Sequence, residues 1–381
     1  MREDTGMLLR LALAGGASAP RQALLAKLEQ NGTGGLSAGR RLCRAAGLSD
    51  AQIERLNRPD EDAWRRSREW LAQPGHYLIG WPDPDYPALL RRVSNPPLAL
   101  FVAGDPSVLW QPAIAVVGSR SPSAGGRDHA YLFARALARR NLCVVSGLAA
   151  GIDAAAHAGA LSVSDGLTAA VLGTGPDITY PPANASLRTR IEERGAIVSE
   201  FPPGTPPKAP HFPSRNRIVA GLALGVLVVE AAERSGALIT ARLAAESGRE
   251  VFALPGSIHN RMARGCHRLI REGAVLVESI DEVLDGVATV AAALGQALRQ
   301  RLASQPTDPD GVNDRNVPEE APLPPLQRRV WKALGHDPIS VDALSGRTGL
   351  TAAELSAILL QMELEGWVTV EYGRCSRRFS T

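Results

Sequence analysis

Residues 113–153 read AIAVVGSRSPSAGGRDHAYLFARALARRNLCVVSGLAAGID. Ala113–Val117 and Leu142–Val145 are short apolar runs typical of buried strands, and Asp128–Arg140 between them reads as a helix. A strand, a crossover helix and a second strand form one unit of a parallel sheet. This stretch therefore decides the fold class of the central part of the chain.

The same alternation continues as far as Leu284. Further strand candidates are Thr168–Leu172, Ala196–Val198, Val226–Val229, Val251–Leu254 and Val275–Val277, and further helical runs are Ile152–Leu161, Ala185–Arg194, Arg217–Leu224 and Ala237–Ser247. The pattern predicts an α/β domain over residues 75–290, with an extended Rossmann-like, doubly wound and mostly parallel sheet. Such sheets bind ligands outside the carboxyl ends of their strands.

Smaller modules flank this domain. Residues 1–74 have a helical pattern and predict a small N-terminal helical domain of the SAM or helix-hairpin-helix kind. Residues 291–325 predict a flexible linker, because Thr307–Pro325 is rich in Pro, Asp, Glu and Asn. Residues 326–381 predict a winged helix from three helical runs and a hairpin, namely Leu326–Leu334, Val341–Arg347, Ala352–Leu364, Trp367–Glu371 and Arg374–Phe379.

Composition limits the class of protein. The chain has 381 residues, 45% of them apolar and 21% charged, as in ordinary soluble globular proteins. The net charge of +3 is small, so any affinity for a polyanion must come from local clusters. The four cysteines lack metal-ligand spacing and fit a reducing cytosol, and no leader or bilayer-spanning stretch occurs. We expect a cytoplasmic protein without a bound metal or a membrane partner.

The loop after the first quoted strand is Gly118-Ser119-Arg120. Glycine lets a backbone approach a phosphate closely. Ser119 offers a hydroxyl group, and Arg120 offers a guanidinium whose paired N–H groups match phosphate oxygens. The loop does not match the GxGxxG dinucleotide fingerprint, and the second strand ends in Ser146-Gly147 where that fingerprint needs an acid. The sequence therefore predicts a phosphate-rich ligand and no nucleotide cofactor.

A second basic segment, Phe212 to Arg217, reads FPSRNR and leads into an apolar run. The sequence predicts that Arg215 and Arg217 lie at the start of a helix, where guanidinium forks and free backbone N–H groups together favour a polyanion. The alternative is a pair of surface arginines in an ion-pair network.

The remaining loops leave several roles open. Asp153 and His157 are either an acid–base pair or a helix cap and a histidine held by local hydrogen bonds, and no strained nucleophile elbow accompanies them. Tyr180-Pro181 either wraps a nucleobase or closes a crossover. Ser235-Gly236 predicts a helix N-cap that receives anions, and Glu230 is expected to pair with Arg215 or Arg217.

These motifs resemble, in order, those of the DNA-processing protein A (DprA/Smf) family over roughly residues 86–284. The motifs that carry the resemblance are Gly118-Ser119-Arg120, Ser146 to Asp153 with His157, Tyr180-Pro181, Ser199-Glu200, Phe212 to Arg217, Ser235 to Thr240, and Pro255-Gly256. The resemblance implies a homodimeric, non-enzymatic protein that binds single-stranded DNA independently of sequence, protects incoming DNA and loads the RecA recombinase in natural transformation. The chain is also similar to the family in the architecture of its flanking modules.

Carried onto this chain, the resemblance implies a particular DNA site. The expected DNA-binding residues are Ser119, Arg120, Lys208, Phe212, Arg215, Asn216 and Arg217. The expected supporting residues of the pocket are Gly118, Gly147, Gly151, Asp153, Glu230, Ser235 and Gly236.

Two other classes of protein compete with this interpretation. Related Rossmann-like folds serve as nucleoside monophosphate hydrolases, for which Glu230, Asp153 and His157 are the catalytic candidates. A transcription regulator would read duplex DNA with its winged helix. The third helix of that module carries Glu354 and Glu363 where a recognition helix should be basic, which disfavours the regulator.

Overall fold

The computed structural model describes residues 3–30, 39–304, 324–334, 339–364, 367–371 and 374–377. The chain forms two compact units, Met1–Gln305 and Pro306–Thr381. Within the described residues, no helix is both long enough and apolar enough to cross a membrane.

The first unit combines helices with one large sheet. Its helices are α1 Glu3–Ala14, α2 Ser18–Gln30, α3 Arg40–Ala45, α4 Asp50–Asn57, α5 Glu61–Leu71, α6 Ala124–Arg139, α7 Ile152–Ala160, α8 Ala185–Arg194, α9 His211–Leu222, α10 Gly236–Glu246, α11 Arg264–Arg271 and α12 Ile280–Ser304. Its strands are β1 His76–Gly80, β2 Ala99–Gly104, β3 Ala113–Val117, β4 Cys143–Ser146, β5 Thr168–Val171, β6 Ala196–Ser199, β7 Gly225–Val228, β8 Glu250–Ala253 and β9 Val275–Leu276.

The strands lie in the order β1-β2-β6-β5-β4-β3-β7-β8-β9. All neighbours from β6 to β9 are parallel, whereas β2 is antiparallel to both β1 and β6. The predicted doubly wound, mostly parallel sheet is confirmed. The sequence pattern did not reveal β1 and β2, because no α-helix separates these two strands and the strand–helix alternation is therefore lost.

Helices cover both faces of the sheet. On one face α9, α10 and α11 contribute buried side chains such as Ile218, Ala241 and Leu269. On the other face α6, α7 and α12 contribute side chains such as Ala134 and Val283. Parallel strands that are buried on both sides read as continuous apolar runs, as Ala113–Val117 does, and for this reason they could be recognised in the sequence.

The N-terminal helices pack against the β1–β2 end of the sheet. Leu9 of α1 and Trp70 near the end of α5 share one buried cluster with Phe101 of β2 and Ile197 of β6. A capping box at Ser49 starts α4, since the Ser49 Oγ accepts the N–H of Gln52 and the Gln52 side chain accepts the N–H of Ser49.

Helix α12 continues to Ser304, so the prediction of a linker from residue 291 is wrong over residues 291–304. That segment is rich in Ala, Leu, Gln and Arg, which are strong helix formers. The rest of the predicted linker up to residue 323 lies outside the described residues.

The second unit is a winged helix, as predicted. It contains α13 Pro325–Leu334, β10 Ile339–Ser340, α14 Val341–Thr348, α15 Ala352–Leu364, β11 Val368–Glu371 and β12 Arg374–Arg377, with the strands in the antiparallel order β10-β12-β11. Its own core includes Val330, Leu344, Leu355 and Val368. The predicted hairpin turn at residues 372–373 lies outside the described residues.

Candidate functional site

The carboxyl ends of β3, β4 and β7 surround an open cleft of about 760 Å³. The chain runs from β3 through β4 and β5 to β6 on one side, and then returns across β3 to place β7 on its other side. This reversal is the topological switch point at which open α/β sheets bind ligands. The topology thus puts the cleft where the sequence predicted a binding site.

Most of the predicted site residues line this cleft. They are Gly118, Ser119, Arg120, Gly147, Asp153, Phe212, Arg215, Asn216, Ser235 and Gly236. The predicted residues Gly151, Lys208, Arg217 and Glu230 are not among its lining residues.

Arg120 is the exposed cation of the loop after β3. Its guanidinium carbon lies 5.3 Å from the ring centroid of Phe212, which is a cation–π distance. The Phe212 ring is in turn 5.4 Å from that of Tyr180, whose side chain is 42% exposed. A guanidinium group and two aromatic rings therefore lie side by side at one edge of the cleft.

The N-terminus of α10 also lines the cleft. Ser235 caps this helix, as predicted, because its Oγ accepts the N–H of Ala237 at 3.3 Å. Arg234 directly precedes the cap and is exposed. The helix dipole and the guanidinium of Arg234 make this part of the cleft attractive to anions.

Arg215 is buried, and its place differs from the prediction. Helix α9 begins at His211, so Arg215 lies beyond the first turn and not at the helix start, and Pro213 is tolerated because it falls within that first turn. One Arg215 terminal N–H group donates to the carbonyl of Gly147 at 2.7 Å and to the carbonyl of Val171. The guanidinium ties together the ends of β4, β5 and α9 and forms the floor of the cleft.

Burial lowers the pKa of Arg215 to about 10, and the nearby carboxyl of Asp153 opposes this change. The guanidinium stays charged at neutral pH, since this value is well above 7. Its charge therefore reaches the cleft, although its hydrogen bonds go to the protein.

Arg217, which the sequence predicted as a DNA contact, is engaged in an ion pair in this structure. Its two terminal nitrogens donate to the two Glu200 oxygens at 2.9 and 2.6 Å, and its Nε donates to the carbonyl of Asn95 at 2.9 Å. Both side chains of the pair are about 15% exposed or less. Both terminal nitrogens of the Arg217 guanidinium donate to Glu200, and both side chains are largely covered. In this arrangement the guanidinium has no free pair of N–H groups for a phosphate.

Asp153 and His157 do not act as a pair. The Asp153 carboxylate accepts the N–H groups of Gly147 and Ala149 at 3.1 and 3.3 Å, so it closes the loop before α7, whereas the cap position of α7 is Gly151. Burial raises the pKa of Asp153, and Arg215 opposes this effect. The prediction of Asp153 as a helix cap is therefore wrong.

His157 is completely buried on α7. Thr168 donates its hydroxyl proton to the carbonyl of Val144, so it accepts a proton from the His157 Nδ1 at 2.7 Å. The Nε2 atom then carries the lone pair, and it has no hydrogen-bond partner among the described residues. Burial, with the charge of Arg215, lowers the pKa of His157 to about 3, which keeps the ring neutral.

Glu230 is also part of the framework. Its carboxylate accepts the N–H of Ser123 at 2.8 Å, the hydroxyl of Ser123 at 2.6 Å and the Asn260 amide at 2.9 Å. The prediction that it pairs with Arg215 or Arg217 is wrong. Glycine at position 126 makes room for this carboxylate, since a Cβ there would overlap it.

Two glycines allow close packing in the loops around the cleft. Gly151 has φ of +84°, and a Cβ on it would collide with the carbonyl of Ser119. A Cβ on Gly147 would meet the Arg215 guanidinium. Both positions therefore require glycine, one for its backbone conformation and the other for close packing.

Lys208 and Asn216 are the remaining predicted DNA-binding residues. Lys208 is exposed and lies in sequence between the lining residues Pro207 and Ala209. Asn216 accepts from the Arg215 Nε at 3.2 Å and donates to the carbonyl of Gly236 at 3.3 Å. Asn216 thereby joins α9 to the start of α10.

Sequence reasoning did not include Tyr180 and Arg234 among the site residues, although both line the cleft. Tyr180 follows β5 in a turn that had two open interpretations, and Arg234 is a single arginine without a motif. The position of each after a strand end was the available signal, because loops after parallel strands gather at one edge.

The fold and the cleft define a Rossmann-like α/β protein with an anion-receptive site at its switch point. Residues 77–288 match the family model described as DNA recombination-mediator protein A, and residues 314–374 match the DprA winged-helix model. Protein Smf of Escherichia coli K12 is 41% identical over 332 residues, which cover 86% of this chain and 84% of that protein.

Two solved structures agree with these matches. The X-ray structure of DNA processing protein A from Streptococcus pneumoniae superposes with a TM-score of 0.65 at 40% identity, covering 72% of this chain and 95% of that chain. The Helicobacter pylori DNA processing protein A, described for its single-stranded DNA binding mode, gives a TM-score of 0.51 at 27% identity, covering 57% and 96%. The chain belongs to the DNA-processing protein A (DprA/Smf) family.

Proposed function

We propose that this protein binds single-stranded DNA, without preference for base sequence, in the cleft at the switch point. The observation that carries the proposal is the exposed Arg120 guanidinium against the Phe212 ring, next to Tyr180. Guanidinium and aromatic groups side by side suit a phosphate and its neighbouring base. The relative from Helicobacter pylori is described as binding single-stranded DNA, which supports the same ligand.

The cleft offers each part of the strand a different partner. Arg120, Arg234 and the N–H groups at the start of α10 receive phosphates, and Tyr180 and Phe212 stack on bases. Backbone contacts position a strand without reading it, and stacking accepts any base. Sequence-independent binding with strong salt dependence follows.

The test compares Arg120→Ala with wild type by fluorescence anisotropy on labelled oligonucleotides. We expect affinity for single strands to fall by about 1–3 kcal/mol, and the slope of log K against log salt to fall by about 0.7. Arg139→Ala is the matched control, because Arg139 is exposed on α6, on the opposite face of the sheet from α9 and α10. Equal affinity and slope for Arg120→Ala and wild type would refute the proposal.

We further propose that the protein protects incoming DNA and loads RecA in natural transformation, acting as a homodimer. Membership of a family described as recombination mediators supports this role. RecA assembly on single strands should begin sooner when the protein is present, and nuclease digestion of the strand should slow. Sedimentation should give twice the chain mass of 40.3 kDa. Unchanged RecA assembly would count against the loading role.

The hydrolase alternative has less support from the geometry. Of its three catalytic candidates only Asp153 lines the cleft, while the Glu230 carboxylate is held by Ser123 and Asn260 and His157 is enclosed. Incubation with nucleoside monophosphates should therefore release no free base. Detectable base release that disappears in Asp153→Asn would revive the alternative.

A further inference from the structure

The loop that carries Arg120 is held at both ends by one residue, Glu230. At its start, the N–H of Ser119 donates to the backbone carbonyl of Glu230 at 2.7 Å. At its end, the Glu230 carboxylate accepts the N–H of Ser123 at 2.8 Å and the Ser123 hydroxyl at 2.6 Å. Arg120 lies between these two anchors, so Glu230 fixes the backbone on both sides of it.

Arg120 has few contacts of its own that could fix its side chain. It is exposed, and its guanidinium carbon lies 5.3 Å from the centroid of the Phe212 ring. Among the residues that the structure describes, no hydrogen bond or ion pair engages this guanidinium. A single cation–π contact at an exposed position is weak. The place of the guanidinium in the cleft therefore depends on the backbone of its loop.

The surroundings of Glu230 accommodate its side chain closely. The side chain is buried, and its carboxylate also accepts the Asn260 amide at 2.9 Å. The Ser123 Oγ that donates to it accepts the N–H of Gly126 at 3.0 Å and so caps α6. A Cβ on Gly126 would overlap the carboxylate, and glycine at this position leaves room for it. Three donors thus converge on one buried carboxylate, which joins the chain after β7 to the N-terminus of α6.

A carboxylate near a phosphate site affects the binding of a polyanion in two opposite ways. Its negative charge repels phosphates, so charge alone predicts that removal of the carboxylate strengthens DNA binding. As an anchor it orders the loop before the strand arrives. Its removal then weakens binding, because a mobile guanidinium has to be immobilised on contact. The sign of the change in affinity distinguishes the two effects.

We propose that Glu230 is a positioning residue for DNA binding, which holds the loop of residues 119–123 so that the Arg120 guanidinium meets a phosphate already in place. Glu230 is not among the residues that line the cleft, and it acts through Arg120 without touching the strand. This inference rests on the proposed function of the cleft, and it explains why an acidic residue is built into a site for a polyanion.

The test measures binding of a labelled single-stranded oligothymidylate to wild type and Glu230→Gln by fluorescence anisotropy at several salt concentrations. Glutamine keeps one acceptor for the N–H of Ser123, but its amide places donors opposite those of Ser123 and Asn260. We expect binding to weaken about three- to tenfold, as for one side chain that must be ordered on contact. The salt slope should match that of wild type, because the contact between Arg120 and phosphate still forms.

A double-mutant cycle with Arg120→Ala shows whether the effect passes through Arg120. In the Arg120→Ala background, Glu230→Gln should change affinity by less than about twofold, because the side chain to be positioned is absent. A general weakening of the fold would reduce affinity equally in both backgrounds. Ser123→Ala removes the hydroxyl anchor alone and should show the same dependence on Arg120 with a smaller loss, so it provides the answer if Glu230→Gln does not fold.

Controls separate this inference from the proposed function. Glu193→Gln removes the same charge from an exposed position on α8 and should bind within about twofold of wild type. Unchanged or tighter binding by Glu230→Gln, or equal losses with and without Arg120, would overturn the positioning role. Wild-type binding by Arg120→Ala would overturn the cleft proposal itself, whereas a loss with Arg120→Ala alone would overturn only the role of Glu230.

Discussion

At the scale of single residues, the buried Arg215 side chain stabilises the cleft by donating to the carbonyls of Gly147 and Val171. We expect Arg215→Met to lower the free energy of unfolding by about 2–4 kcal/mol, because the buried carbonyls of Gly147 and Val171 lose their donor. Urea denaturation followed by circular dichroism measures the change. Arg139→Met, on the exposed surface of α6, is the control and should leave stability within about 0.5 kcal/mol of wild type.

A different result for Arg215→Met would restore its predicted role as a DNA contact. If the variant keeps wild-type stability but loses affinity for single strands, the guanidinium acts on the ligand and not on the framework. A loss of stability alone supports the structure described above.

His157 should make stability depend on acid. Its pKa is about 3 in the folded protein, against an ordinary value of 6.5 in the unfolded chain, so the unfolded chain takes up a proton first as pH falls. The contribution of His157 to the free energy of unfolding is complete above pH 6.5 and is lost progressively toward pH 3. The difference between the two pKa values limits this contribution to roughly 5 kcal/mol. Asp153 acts in the opposite sense, since its pKa is raised.

The measurement compares unfolding free energy against pH for wild type and His157→Asn. The asparagine amide retains a donor toward Thr168 but does not titrate, so the stability of the variant should fall less than that of wild type between pH 6.5 and 3. Parallel curves for the two proteins would show that His157 is not the responsible group.

Single residues were predicted unevenly from the sequence. Arg120 and Ser235 lie in the cleft as expected, because each closely follows or precedes a regular element. The ion pair of Arg217 with Glu200 was not predicted, because only the packing of α9 against the chain after β6 brings the two side chains together. A sequence motif shows which residue types are present, but it does not show which charged side chains form ion pairs in the folded protein.

At the scale of elements, the start of α10 serves both the fold and the cleft. Ser235→Ala should cost about 1 kcal/mol of stability, and it should also weaken DNA binding because it loosens the N–H groups that face the ligand. Ser49→Ala removes a comparable cap from α4 and should cost similar stability with unchanged binding. Thermal unfolding measures the stability of both variants, and fluorescence anisotropy measures their DNA binding. If Ser235→Ala and Ser49→Ala lose the same affinity for DNA, the cap at Ser235 has no specific role in binding.

Most elements of the sheet were predictable, because strands buried on both faces form uninterrupted apolar runs. The start of α9 was not, since the predicted helical run began at Arg217 whereas the helix begins at His211, with Pro213 in its first turn. The antiparallel pair β1 and β2 was missed because no α-helix separates the two strands, so the strand–helix alternation is lost there.

At the scale of the whole molecule, the cleft belongs entirely to the first compact unit. We expect a chain ending at Gln305 to bind short single strands within about twofold of the full-length protein, because no phosphate contact is lost and twofold is about 0.4 kcal/mol. Anisotropy on both proteins measures it. A loss of tenfold or more would assign part of the binding surface to the winged helix.

The ion pair between Arg217 and Glu200 has a kinetic consequence. The pair withdraws one cation from the strand, and we expect a strand held through fewer charges to dissociate faster. Rapid dissociation would suit the hand-over of the strand to RecA that we propose, since a tightly held strand would block assembly of RecA. We therefore expect the cleft to favour a short residence of the strand over maximal affinity.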